Sequence, residues 1–217
     1  MSDRAPAIRR RGPGAGEVSH ERIVAAAREL IDAGGVEALS MRKLAAEIGV
    51  APTGIYWHVG SRDDLLNAVL DVMVADLPPI IARGAVPRAR LASVARSIRD
   101  QVRATTVAQQ LATALNRTAE LSFPAQVALA REMAAAGVRG EDAARAVRAV
   151  LFLVGGFILL EDNFRHRQPG SRTTQDLWRS LDDPTLDADL RTAMSRPADT
   201  DALFDYAVNR LLESILG

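Results

Sequence analysis

Met41-Arg42-Lys43-Leu44-Ala45-Ala46-Glu47-Ile48-Gly49-Val50-Ala51-Pro52-Thr53-Gly54-Ile55-Tyr56-Trp57-His58-Val59 is the stretch on which the fold turns. Ser40 precedes it as an N-cap, and Leu44, Ala45 and Ile48 repeat at helical spacing. Gly49 stands where a helix must turn left-handed to stop. After only Gly49-Val50-Ala51, Pro52 brings a fixed φ suited to a first helical turn, and Ile55 then points inward. Two short helices joined by a three-residue, glycine-containing turn cross steeply, which is the geometry that sets the second helix into a major groove. Tyr56, Trp57 and His58 sharpen this reading. Buried, their polar atoms would need partners; at a surface they suit phosphate and groove contacts.

The pattern extends outward on both sides. Upstream, Ser19 caps a helix with Ile23, Val24, Ala27, Leu30 and Ile31 on one face, ended by Gly34-Gly35. Downstream, Gly60 breaks the chain, and Ser61 with Asp64 forms a capping box with Asp in place of Glu or Gln. The fourth helix runs through Leu65, Leu66, Val69, Leu70, Met73 and Leu77 until Pro78-Pro79 stops it. Three prolines and a glycine between 78 and 87 mark a boundary. Helical patterns continue at about 88 to 103, 105 to 116, 124 to 136, 140 to 165, 185 to 195 and 200 to 216, with a polar loop over 166 to 184. No segment alternates as a strand does, so the expected fold is all-α with nine or ten helices. Residues 1–18, rich in Arg, Pro and Gly, read as a disordered arm. Gly12, Gly14 and Gly16 follow no strand, so they are no nucleotide-binding loop.

The 217 residues have no cysteine, which excludes disulfides and thiolate metal sites. His20, His58 and His166 stand too far apart for a ligand spacing, so no metal or cofactor is expected. No nucleophile–base pair, phosphate loop or nucleotide fingerprint suggests an enzyme. The N-terminus has no signal-peptide pattern. The longest apolar run, Ala149 to Leu160, is 12 residues against the roughly 20 a membrane span needs, so the cytoplasm is the expected setting. Net charge is zero but uneven. Residues 1–62 hold nine Arg or Lys against seven acids, +2, and the remainder 18 against 20, −2.

The run from Arg42-Lys43-Leu44-Ala45 through Gly49-Val50 to Tyr56-Trp57-His58-Val59, followed by Leu65-Leu66, resembles the tetracycline repressor (TetR) family over about residues 19–77. The Tyr-Trp-His-Val string is most similar to the tetracycline repressors themselves. The resemblance implies a three-helix DNA-binding head over 19–62 and a helical ligand-binding and dimerisation body over 63–217. It implies that Arg42 reads a base edge, that Thr53 and Gly54 open the recognition helix, and that Tyr56, His58 and Arg62 meet phosphates. Pro52 and a Gly54 without a side chain depart from the tetracycline pattern and leave the operator open. Trp57 stands between core packing and DNA contact. Arg9, Arg10 and Arg11 stand between a minor-groove arm and a solvated tail.

The helix near 140 to 165 is apolar all round its central turns, and the last helix has a wide apolar face, so both are either central core helices or meet a core on one side and a second copy on the other, and the resemblance implies the dimer. Close helix approach is expected to offset the helix-weakening Gly155 and Gly156. The resemblance implies a repressor released from a palindromic operator by a small-molecule effector. Its pocket candidates are Arg103, Thr106, Gln110, Thr113 and Asn116, with Met133 and Phe152 as walls. Tetracycline repressors hold magnesium-chelated drug with a body histidine, and this chain has none between residues 67 and 165, which points to a different, largely apolar effector. The competing reading is a helical DNA-architecture or interaction protein without an effector.

Overall fold

A computed structural model describes residues 18–217 except 167 and 169. The expected arm, with Arg9, Arg10 and Arg11, lies outside the described residues. Every regular element among those described is helical, apart from turns. There are eleven α-helices and one 3-10 turn at Val36–Ala38, and the all-α reading holds. The chain divides into two compact units, residues 18–76 with 110–116, and residues 77–109 with 117–217.

The first unit, the head, contains α1 (His20–Gly34), α2 (Met41–Ile48), α3 (Pro52–Val59) and α4 (Arg62–Ala75). Its boundaries follow local chemistry. Ser19 Oγ accepts from Arg22 N at 3.3 Å and Ser40 Oγ from Lys43 N at 3.1 Å. Ser61 and Asp64 form the expected reciprocal box. Caps of this kind contribute about 1 kcal/mol each. Ile23, Val24, Ala27 and Ile31 of α1 meet Leu44 and Ala45 of α2, Ile55 and Val59 of α3, and Leu65, Leu66 and Val69 of α4 in a closed core. Because α4 packs on α1 and α3, the compact unit runs to Asp76, beyond the expected break after residue 62.

The second unit, the body, contains α5 (Pro87–Ala104), α7 (Thr118–Ala135), α8 (Gly140–Arg165), α9 (Thr174–Ser180), α10 (Ala188–Met194) and α11 (Thr200–Leu216). The units divide α6 (Thr106–Ala114) between them. Its core joins α5, α7, α8 and α11 through Leu91, Val94, Leu129, Met133, Val150, Phe204 and Leu212. α7 starts at Thr118, ahead of the expected start at 124, and carries Pro124 inside it. Core-facing Leu121 and Ala125 hold the helix through the proline. The supposed loop over 166–184 contains α9, a two-turn helix held by a Thr173–Asp176 capping box.

By length and composition, α8 is apolar enough to cross a membrane, although its longest unbroken apolar run, Ala149 to Leu160, is 12 residues. Its inner face is built into the body, with Val150 and Val154 buried and Glu161 enclosed between arginines. Gly155 and Gly156 are not explained by helix approach within the protomer, for a Cβ added at either meets nothing within 4 Å. Each costs the helix about 1 kcal/mol against alanine, with no packing gain in the chain itself.

Backbone and side-chain hydrogen bonds from Thr173, aided by Arg179, hold the Asp176 carboxyl down to about 2 from its ordinary 3.8. A depressed carboxylate stabilises fully above its ordinary value and loses that contribution as pH falls through the folded one. The α9 cap is therefore expected to be intact above about pH 4 and to fail toward pH 2. An NMR titration of Asp176 should show its midpoint near 2; a midpoint at 3.8 would mean that the cap does not form.

Candidate nucleic-acid interface and body cavity

The turn between α2 and α3 is made by its backbone. Gly49 lies at φ 79°, ψ 36°, a conformation that favours glycine. The N–H groups of Gly49 and Val50 both donate to Ala45 O, at 3.0 and 2.9 Å. Ala51 then sits at N-cap and Pro52 at the first helical position. α3 has only two turns and buries only Ile55 and Val59, one turn apart. Everything else on it faces outward or sits half-buried.

That leaves Pro52, Thr53 and Tyr56 exposed, and Trp57 84% exposed. An indole so open gains almost nothing from the fold, and exposed large apolar groups mark interaction surfaces. Its position as a core residue, one of the two readings from sequence, is therefore excluded. His58 is half-buried and meets Trp57 edge-on, with ring centroids 5.3 Å apart and planes at 88°. α3 carries no acidic residue, and Arg42 and Lys43 stand exposed at the start of α2. Gly54 is open as well, since a Cβ there would meet nothing within 4 Å. Arg42, Pro52, Thr53, Gly54, Tyr56, Trp57 and His58 thus all lie on α2 and α3 around one short turn.

Arg62 is different. It is half-buried, and its Nη2 donates to Val36 O at 3.2 Å, tying the start of α4 to the 3-10 turn. Its guanidinium holds the head together, which its place at a helix start does not reveal. The described head residues, 18–76, hold five Arg or Lys against nine Asp or Glu, net −4. Two of those acids, Asp32 and Asp76, pair with Arg28.

The body contains a cavity of about 770 Å³ walled by α5, α7 and α8. Its walls are apolar, with Ile98, Leu121, Ala125, Val154 and Ile158 among them, and Gly155 and Gly156 expose bare α8 backbone to it. Polar groups come from Gln101, Thr105, Gln109, Ser122, Gln126 and Arg148.

Of the expected pocket residues only Phe152 lines this cavity; it is also 81% exposed at the surface of α8. Thr106 and Gln110 each stand one position past a residue that does line it, and one position along a helix turns the side chain by 100°. Thr106 Oγ1 instead donates to Arg103 O at 3.3 Å. Thr113 and Asn116 fall in the 110–116 segment that clusters with the head, where Asn116 takes a left-handed φ of 57°. Met133 is fully buried in the body core. Arg103 is held by an acid. Its Nε donates to Glu161 Oε2 at 2.9 Å, and Glu161 also accepts from Arg99 Nε at 3.0 Å. Arg99 reaches Asp201 at 2.8 Å and stacks 4.4 Å from the Phe204 ring centroid. Sequence reasoning passed over Gln101, Thr105, Gln109, Ser122, Gln126 and Arg148. The one available signal was Arg148 itself, a cation at the edge of the most apolar helix.

Residues 23–69 match the family described as bacterial regulatory proteins, tetR family. The chain is 34% identical over 167 residues to an HTH-type transcriptional regulator of Saccharopolyspora erythraea, covering 72% of this chain. It spans 66% of that regulator's length. Among solved structures, the transcriptional regulator SCO7222, a TetR from Streptomyces coelicolor, is 28% identical, covers 92% of this chain and 98% of its own, and superposes with a TM-score of 0.66. The S. coelicolor TetR family protein ActR in complex with actinorhodin shares the fold at 23% identity, over 93% and 98% of the two chains, with a TM-score of 0.63.

Proposed function

This chain belongs to the TetR family of bacterial regulatory proteins, and we propose that it is a dimeric transcriptional repressor that leaves a palindromic operator when a small molecule fills the body cavity. The observation that carries the reading is the outward face of α3, with Tyr56 and Trp57 exposed and only Ile55 and Val59 anchoring the helix. Arg42 and Lys43 add the cations that phosphates require.

The dimer rests on the body's uncovered apolar surface. Phe152, Leu159, Leu160 and Phe164 of α8 are exposed together with Leu203 and Tyr206 of α11. Paired across a two-fold axis, such helices make a four-helix interface. The effector reading draws on the cavity, and on the actinorhodin complex of a protein with the same fold. The lack of a histidine between residues 67 and 165 weighs against magnesium–tetracycline. A regulator of this kind works in the cytoplasm, beside the chromosome.

The decisive experiment is selection of bound fragments from genomic DNA, followed by footprinting with competitor DNA present. One discrete palindrome is expected, with half-sites about 34–36 Å apart or a multiple of that. Light scattering should give the mass of two chains. Protection spread without sequence preference would favour the DNA-architecture alternative. The head's shortage of cations already weighs against it, because non-specific affinity is mostly phosphate electrostatics.

A further inference from the structure

The charge of the cavity wall is one-sided. Among the described residues, Arg148 is the only ionisable one lining it, and no Asp or Glu faces the space. Four arginines packed among the body helices are answered by acids: Arg90 by Glu132, Arg96 by Asp205, Arg99 and Arg103 by Glu161; what sets Arg148 apart from the unpaired surface arginines is its place on the cavity wall. Arg148 has no such partner among the described residues. Its own helix supplies none, since Ala144, Arg145, Leu151 and Phe152 occupy the positions three and four away.

The polar groups also sit at two ends. α7 and α8 pack as a hairpin with a four-residue turn. Gln126 stands nine residues before the end of α7 and Arg148 eight after the start of α8, so the two reach about the same level of the wall. Ten residues further along α8, about 15 Å away, Ile158 approaches the level of Glu161. There Arg103 of α5 bonds that acid, and Gln101 and Thr105 belong to this end. Between the ends lie Val154, Leu121, Ala125 and the bare backbone of Gly155 and Gly156, whose added methyl groups would meet no protein atom.

Resting on the effector reading above, we propose that the cavity takes an amphipathic organic acid about 15 Å long. Its anionic group pairs with Arg148 beside the Gln126 amide. Its flat apolar middle lies on Gly155 and Gly156. Its far end donates hydrogen bonds to Gln101 Oε1 and Thr105 Oγ1, because Gln101 Nε2 and Thr105 Oγ1 already donate to Pro78 O and Gln101 O. Charge complementarity selects this occupant over a neutral or cationic one, because a charge-assisted bond to a guanidinium is about twice as strong as a neutral bond.

The test uses the full chain and two matched trios: anthracene-2-carboxylate with its primary amide and aminomethyl counterparts, and dodecanoate with dodecanamide and dodecylamine. Calorimetry and thermal melting of the wild type should rank acid over amide by about tenfold, a figure reduced because Arg148 is at an open edge, with the amines weakest. In Arg148→Gln, whose unliganded melting should match the wild type, the acid should fall to the level of the amide. Equal binding of acid and amide, or an acid preference that persists in Arg148→Gln, would overturn the inference while leaving an effector role standing. So would failure of all six probes to bind, or binding that appears only on dilution to monomer, which would assign the cavity to a second copy. The effector role itself falls on a separate readout: compounds that bind the cavity and do not release the operator.

Discussion

Glu161→Ala is expected to destabilise the protein by about 3 kcal/mol, the low end of the range for breaking a buried pair. Both partners are enclosed, with the Arg99 side chain 5% exposed and Glu161 6%. Removing the carboxylate leaves Arg99 and Arg103 facing one another without the acid that both bond. Arg99 retains Asp201 at 2.8 Å and the Phe204 ring, which keeps the loss from the upper end. At about 2–4 °C per kcal/mol for a chain of this size, the melting temperature should drop by roughly 6–12 °C. The double variant Arg99→Met/Glu161→Leu should recover most of that loss, because apolar replacement of a whole buried pair is often neutral or better. Calorimetric melting of the three proteins checks this. If Glu161→Ala melts with the wild type, the carboxylate is not holding α5 to α8.

The second large effect concerns DNA. Trp57→Ala should leave stability within about 0.5 kcal/mol of the wild type, since the side chain touches little of its own fold. Operator affinity should nonetheless fall by about 1–3 kcal/mol for each recognition helix. In a two-fold dimer the loss counts twice, so the expected weakening is roughly 30-fold to 20,000-fold. Ile55→Ala is the contrasting control: fully buried, it should cost about 2–5 kcal/mol of folding and lose binding only by unfolding. Fluorescence anisotropy on labelled operator, beside thermal melts, separates the two. Wild-type affinity in a folded Trp57→Ala would remove the outer face of α3 from the interface. Arg62→Ala is a poorer probe, because its bond to Val36 O mixes stability with binding.

The head was legible because its decisive signals are local. Ser40, Gly49, Pro52, Gly60 and the Ser61–Asp64 pair each fix a helix end within a few residues, and α2 and α3 begin and end where those residues place them. The body is governed by distant partners. Arg103 looked like a pocket cation until Glu161, 58 residues away, was seen to hold it. Sequence points to Thr106 and Gln110 and misses their neighbours Thr105 and Gln109, because it gives the helical period but not its phase against a wall built from other helices. Gly155 and Gly156 look alike in sequence whether they serve close packing or line a space, and only the empty volume beside them decides.

The openness of Trp57 has an optical consequence. The chain contains two tryptophans, Trp57 on the outer face of α3 and Trp178, half-buried in α9 of the body. Trp57 faces water in the free protein, and a duplex that covered it would quench its emission by stacking or groove contact. A Trp178→Phe protein would report operator docking from its own fluorescence, with no dye attached. A Trp57→Phe protein would leave Trp178 to follow the body alone.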